Sequence, residues 1–268
     1  MLIGPDTRIG IIGAEGRMGS FFVSLSRKKG LEVLLADKGV GDVASLARGS
    51  DLIILAIPFY AMDELLMSIG GLIRPEALLM DITSIKTRPL RIMLKNTSCN
   101  VVGAHPLFGP ESFEEDGLRV ILCPGRGNDS LKMARAFWET LGLQVHLSSA
   151  EEHDRIMGIV QGVFHGIAFS MADCLANMCS LERKRLREQS TFNFLIMLKR
   201  IKALVFQPSF LYETIFFENP SAIDSIEAFI RSLNELRDWI KKDDRESFRR
   251  ELNKIKEVLG HETSLGQD

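Results

Sequence analysis

The chain has 268 residues, 46% of them hydrophobic, enough for one large core or two modest ones. A formal net charge of −2 offers no excess of positive charge for nucleic acid or an anionic membrane, and the four cysteines (Cys99, Cys123, Cys174, Cys179) form no C-x-x-C pair and no zinc-spaced grouping, so no metal is expected. The N-terminus lacks a signal-peptide pattern and no uncharged apolar run approaches the roughly 18–20 residues of a membrane span, so a soluble cytoplasmic protein is expected.

The run Arg8–Ile12 predicts a buried strand, and apolar residues at helical spacing over 18–29 predict the helix that follows. Further strands are expected at Glu32–Ala36, 51–57, 77–82, 100–103 and 119–123, with helical stretches between most of them, including 61–69 and 132–141. Alternating strands and helices imply parallel pairing through right-handed crossovers, hence an open, doubly wound α/β sheet of Rossmann type. Near residue 150 the pattern changes. Ser148-Ser149-Ala150-Glu151-Glu152 reads as a capped helix start, and Ile156, Ile159, Val160, Val163, Phe164 and Ile167 share one apolar face. More helices are expected at 181–187, Phe192–Val205, 209–217, 222–241 and 244–259, followed by a polar tail that frays. The reading is an α/β dinucleotide-binding domain over 1–149 and an all-α domain over 150–268.

Directly after the first strand stands Gly13-Ala14-Glu15-Gly16-Arg17-Met18-Gly19, a G-x-x-G-x-x-G turn between a predicted strand and a predicted helix. Glycines there allow a tight turn and a close backbone approach to a pyrophosphate at the helix N-terminus. The second strand leads into Asp37, placed to bond the ribose hydroxyls and to repel a 2′-phosphate; this favours NAD over NADP, although Arg17 and Lys38 stand nearby. The third strand runs into Ile57-Pro58, candidates to line the nicotinamide side of the rim.

Two further strand ends carry polar groups: Asp81-Ile82-Thr83-Ser84-Ile85-Lys86 and His105-Pro106-Leu107-Phe108-Gly109-Pro110. A histidine on that rim suits proton transfer when hydride leaves a carbinol carbon. Ser84 could orient it or meet the substrate, and Lys86 could hold a carboxylate or the cofactor. By residue type alone His105 serves equally as a strand-end structural histidine, His153 as an exposed first-turn residue, and His165 as a satisfied core histidine.

Together these segments resemble the prephenate dehydrogenase family, its archaeal branch in particular. The resemblance rests on the glycine turn, residues 81–86, Ala104-His105-Pro106-Leu107-Phe108-Gly109-Pro110, the run from Glu152 through Gln161 to His165, and residues 210–220. It implies NAD-dependent oxidative decarboxylation of prephenate to 4-hydroxyphenylpyruvate, on the way to tyrosine. His105 maps onto the catalytic histidine, Ser84 onto its helper, and Gln161 and His165 onto the substrate pocket. It also implies an intertwined homodimer through the helical domain. The family's carboxylate-binding arginine falls at Ala203 here, which leaves Arg200, one turn away, as the candidate substitute, with Lys199 and Lys202 as basic neighbours. Arogenate is the alternative substrate. A β-hydroxyacid-type dehydrogenase is disfavoured because no catalytic lysine or aspartate matches in the helical half. A non-catalytic dinucleotide sensor would dispense with His105 and Ser84.

Overall fold

A computed structural model describes residues 3–4, 6–110, 117–178 and 180–261; Cys179 and the tail beyond residue 261 lie outside them. The first half builds β1 (Arg8–Ile12), α1 (Arg17–Lys28), β2 (Glu32–Ala36), α2 (Val43–Gly49), β3 (Leu52–Leu55), α3 (Met62–Ile69), β4 (Leu78–Asp81), α4 (Thr87–Asn96), β5 (Asn100–Pro106), β6 (Arg119–Arg126), α5 (Ser130–Thr140) and β7 (Gln144–Leu147). The strands form one sheet in the order β2-β1-β3-β4-β5-β6-β7. Strand order reverses between β1 and β3, and beyond the carboxyl ends of such a pair an open α/β sheet leaves a crevice for ligands.

Side chains alternate across the buried strands and so feed two cores. Ile9, Ile11, Leu52, Ile54 and Met80 pack with Phe22 of α1 and Phe137 and Trp138 of α5. Ile53, Leu55, Leu79 and Val101 pack on the other face with Leu46, Met62, Leu66 and Met93 of α2, α3 and α4. Burial on both faces explains why these strands read as continuous apolar runs.

Two departures from the expected sheet matter. First, β6 joins β5 antiparallel, and among the described residues no helix separates them. His105 therefore lies within a strand, opposite Ile121, rather than in a loop beyond a strand end. Second, β7 pairs parallel with β6 at the edge, where Gln144, His146 and Leu147 are exposed. An exposed edge strand carries no apolar run to betray it.

The second half is helical: α6 (Ala150–Met157), a π-helical turn (Gly158–Val163), α7 (Phe164–Ala176), α8 (Ser180–Glu188), α9 (Phe192–Val205), α10 (Ser209–Glu213), a second π-helical turn (Thr214–Glu218), α11 (Ala222–Lys242) and α12 (Arg245–His261). Ser149 caps α6 by accepting from the Glu152 amide at 3.1 Å, as the serine-then-acid pattern predicts. The first π-turn lies against α11: a Cβ on Gly158 would come within 2.7 Å of the Ser221 carbonyl oxygen. π-turns of this kind recur at functional sites, where they re-aim side chains.

The continuous helix Ala150–Ala176 corrects one expectation. It has 27 residues and a mean hydropathy of 1.4 in its most apolar stretch, so it is long and apolar enough to cross a membrane. Its first turns are instead tied to the α/β domain through buried His153 and Asp154.

Candidate active site

The glycine turn is braced from both sides. The Gly13 and Ala14 amides donate to the Ala36 carbonyl at 2.9 and 3.2 Å, which pins the turn to the end of β2. Gly13 adopts φ +86°, where an L side chain is strained, and a Cβ there would also collide with the Ala56 carbonyl oxygen. Gly19 packs so tightly on the Gly13 carbonyl that no Cβ fits. Gly16 is the N-cap of α1 and supplies no side-chain cap, so a ligand can serve the first-turn amides. Asp37 accepts from the Glu15 amide through Oδ2 at 2.8 Å and from the Lys38 amide through Oδ1 at 2.7 Å, so this acid braces the turn. A cradle that a Cβ would fill, at the switch point of the sheet, fits a dinucleotide pyrophosphate.

The 81–86 segment is organised by one buried carboxylate. Asp81 accepts from the Thr83 amide at 2.9 Å and from the Thr83 hydroxyl, which shapes the turn that brings Ser84 to the cavity. Asp81 also takes the Lys86 ammonium as an ion pair, and Lys86 gives a second hydrogen bond to the Ala104 carbonyl at 2.6 Å. Both side chains are fully buried. This corrects the reading of Lys86 as a ligand for substrate or cofactor: its charge is spent under β5, and it does not line the cavity.

His105 is buried, 3% exposed, and its ring stands at one end of a hydrogen-bonded chain. His105 Nδ1 meets His153 Nε2 at 2.9 Å, and His153 Nδ1 meets Asp154 Oδ1 at 2.9 Å. Asp154 also accepts the Lys86 and Thr87 amides at 2.7 and 2.9 Å, capping α4 from the other half of the chain, and the Asn219 side chain donates to its carbonyl.

This chain fixes the tautomers. The ionised carboxylate only accepts, so His153 carries its proton on Nδ1 and turns a lone pair on Nε2 towards His105. His105 then donates from Nδ1 and keeps an unprotonated Nε2, which lies 3.5 Å from Gln161 Nε2. Burial, reinforced by the neighbouring His153 and the Lys86 ammonium, pushes the His105 pKa well below its ordinary 6.5 and keeps the ring neutral. Burial works to raise the Asp154 pKa, but bonds from His153, Thr87 and Lys86 outweigh it and hold the group ionised. The result is a proton acceptor with a defined lone pair beside the cavity.

That cavity has a volume of about 510 Å³. The glycine turn contributes Gly16, Arg17 and Met18; the end of β3 and its following turn contribute Ala56, Ile57, Pro58 and Phe59. Ser84 and His105 line it with Phe108, and the helical half closes it with Gln207, Pro208, Phe210, Leu211 and Thr214. Arg17 donates to Gln207 Oε1 at 2.8 Å, joining the two halves at its rim.

Gln161 and His165 stand on the π-turn and α7. Gln161 reaches the His105 ring, while His165 packs edge-on against Tyr212 at 5.6 Å and its buried Nδ1 has no partner among the described residues. Arg200 stands apart from this cluster. It is exposed on α9, where Ile201 takes the buried position, and neither Arg200 nor Ala203 lines the cavity. Sequence reasoning missed the joint role of His153 and Asp154. Adjacent histidine and aspartate in the first turn of a helix were the available signal, but only the packing of α6 on α4 and β5 brings them to His105.

Comparison with known proteins agrees with this architecture. The nucleotide-binding domain of prephenate dehydrogenase matches residues 23–147, and its dimerization domain matches residues 149–254. A Methanocaldococcus jannaschii protein named "Probable arogenate/prephenate dehydrogenase" is 27% identical over 96% of this chain and 62% of its own length. The "T-protein" of Enterobacter agglomerans is 26% identical over 96% of this chain and 69% of its own. The chain thus spans only about two thirds of the length of these relatives. Among solved structures, Aquifex aeolicus prephenate dehydrogenase with hydroxyphenyl propionate and NAD+ superposes with a TM-score of 0.78 at 23% identity, covering 95% of this chain and 98% of that one. Synechocystis arogenate dehydrogenase gives a TM-score of 0.74 at 17% identity over 95% and 99%. With both domain models matched in order along it, the chain belongs to the prephenate dehydrogenase family.

Proposed function

We propose that the protein catalyses NAD-dependent oxidative decarboxylation of prephenate to 4-hydroxyphenylpyruvate. The observation that carries this reading is the Asp154–His153–His105 chain, which ends in an unprotonated Nε2 beside a cavity shared with the glycine turn. Gly13, Gly16 and Gly19 would hold the pyrophosphate of NAD+, with Asp37 bracing the turn at the ribose end. When bound, NAD+ supplies the acceptor for the hydride. His105 Nε2 accepts a hydrogen bond from the ring hydroxyl and stabilises the positive charge that develops as hydride leaves that carbon. Carbon dioxide departs and leaves its bonding pair in the ring, which becomes aromatic; the hydroxyl proton remains with the phenol product. Ser84 and Gln161 orient the ring and the imidazole, and His165, with its buried Nδ1 unpartnered, offers a further polar contact.

We also read the protein as a cytoplasmic homodimer, divided at 149/150, that pairs through its helical half. Large apolar side chains stand exposed along that half, among them Phe192 (77%), Phe206 (80%), Phe217 (79%) and Ile240 (71%). A second copy covering them suits their number better than open solvent does. Light scattering should return twice the chain mass.

The activity test follows reduced cofactor by absorbance in a mixture of protein, NAD+ and prephenate, with arogenate and NADP+ as parallel arms. His105→Ala should lower kcat by about 100- to 10,000-fold while NAD+ binding stays close to wild type. No turnover with any pair of substrate and cofactor would refute the activity, and wild-type rates in His105→Ala would refute the role of His105.

A further inference from the structure

The ion pair of Lys86 and Asp81 is an expensive thing to bury. Both side chains are fully enclosed, and Asp81 Oδ1 has no partner among the described residues. Taking two charges out of water costs several kcal/mol or more in general, and well-packed apolar side chains often serve stability equally well. The connections of the pair give a better reason for it than stability does.

The Lys86 ammonium joins two elements. One bond goes to Asp81 at the end of β4, whose carboxylate also takes the Thr83 amide and hydroxyl and so shapes the turn that carries Ser84. The other goes at 2.6 Å to the carbonyl of Ala104, the residue before His105 in β5. The backbone amide of Lys86 reaches a third support: it donates at 2.7 Å to Asp154 Oδ1, the oxygen that also meets His153. Gly103 leaves room for the stem, since a Cβ there would lie 3.0 Å from Lys86 Cδ. Gly103 and His105 share one face of β5 by strand alternation, so the stem runs on the histidine's side of the sheet. Ser84 and His105 line the cavity and Lys86 does not, yet each of its bonds ends on a group that holds one of them.

We propose that Lys86 is a positioning residue for the reaction: it locks the Ser84 turn to the His105 strand and keeps a fixed positive charge behind the imidazole. The inference rests on the reading of His105 as the group that accepts the hydroxyl hydrogen bond. A cation there opposes protonation of the ring and so preserves the lone pair on Nε2. The other titratable groups packed around this face are Asp81 of β4, His153 and Asp154 of α6, and Cys123 of β6, whose thiol burial pushes up to about 12 and keeps neutral.

The double variant Asp81→Asn with Lys86→Met removes both charges without stranding either, and the new amide oxygen still accepts from Thr83. Steady-state rates with prephenate give kcat, an NAD+ titration gives the Kd, and nitrogen-15 titration of the His105 ring follows its protonation without turnover. In the double variant kcat should fall about 10- to 100-fold, the scale of a displaced catalytic pair, while the Kd for NAD+ moves about twofold or less because the glycine turn is untouched. The ring should protonate at higher pH than in wild type, because the cation that opposes its charge is gone. Gly103→Ala keeps every charge and crowds only the stem, so it should lower kcat by a smaller factor, about three- to tenfold, with the ring titration unmoved. Wild-type kcat or an unmoved ring titration in the double variant overturns the proposal. So does an equal loss of NAD+ affinity, which would mean general damage to the fold. If the double variant does not fold, wild-type kcat in Gly103→Ala overturns it instead. If wild type oxidises neither prephenate nor arogenate, the proposed activity fails, and the ring titration alone decides the role of Lys86.

Discussion

Replacing His153 by leucine isolates the tautomer argument, because it removes the acceptor for His105 Nδ1–H and leaves His105 itself in place. In the native chain that proton is held on Nδ1 by a 2.9 Å bond to His153 Nε2, in a setting where His105 is 3% and His153 1% exposed. Opposite leucine, the Nδ1–H tautomer leaves a buried donor unsatisfied, at a cost of about 1–3 kcal/mol. The imidazole avoids the cost by moving its proton to Nε2, which faces Gln161 and the cavity, and the lone pair that should receive the substrate hydroxyl disappears. The productive tautomer then falls by about 5- to 150-fold relative to the other, and kcat/KM should fall by the same factor. Asp154 keeps its bonds from the Lys86 and Thr87 amides, so α4 stays capped and the NAD+ site is undisturbed. Steady-state rates with prephenate give the loss, nitrogen-15 spectra of the His105 ring report the proton's position, and an NAD+ titration serves as the control. His153→Gln, which offers an amide oxygen to the same Nδ1–H, should restore much of the rate. A leucine variant within about twofold of wild type, well inside the range set by that desolvation cost, would refute the account of how His105 is primed.

Two further outcomes follow from the buried charges. Because burial depresses the pKa of His105, the acid limb of kcat/KM should lie below pH 6.5, with a plateau above it; an apparent pKa above 6.5 would contradict a neutral, desolvated base. Burial depresses His153 and His165 as well, so all three rings stay neutral in the fold but bind protons when unfolded as pH drops below 6.5. Their contribution to stability is therefore complete above that pH and is lost as pH falls, which urea melts between neutral and acid pH should show. Lys86→Met would leave the Asp81 carboxylate buried without its cation and should cost about 3–5 kcal/mol in the same melts. A loss below about 1 kcal/mol, the scale of an exposed pair, would mean that the pair is open to water.

By itself the sequence determined the parts of this protein whose signals are local. Burial on both faces made β1, β3, β4 and β5 legible as apolar runs, and the helical half declared itself through Ser149 and an apolar stripe at helical spacing. The glycine turn was legible because Gly13 and Gly19 answer backbone constraints that only glycine meets. Long-range pairing decided the rest. Antiparallel β6 drew His105 into a strand, and Lys86 turned inward, where Asp81 and the Ala104 carbonyl receive its ammonium. Nothing in the one-dimensional pattern gives the crossing of α6 over the start of α4, so an exposed first turn was an equal reading for His153, which that contact buries together with Asp154. Sequence spacing reports which face of its own element a side chain takes; which element lies opposite is decided by packing, and here that packing determines which nitrogen of His105 is free.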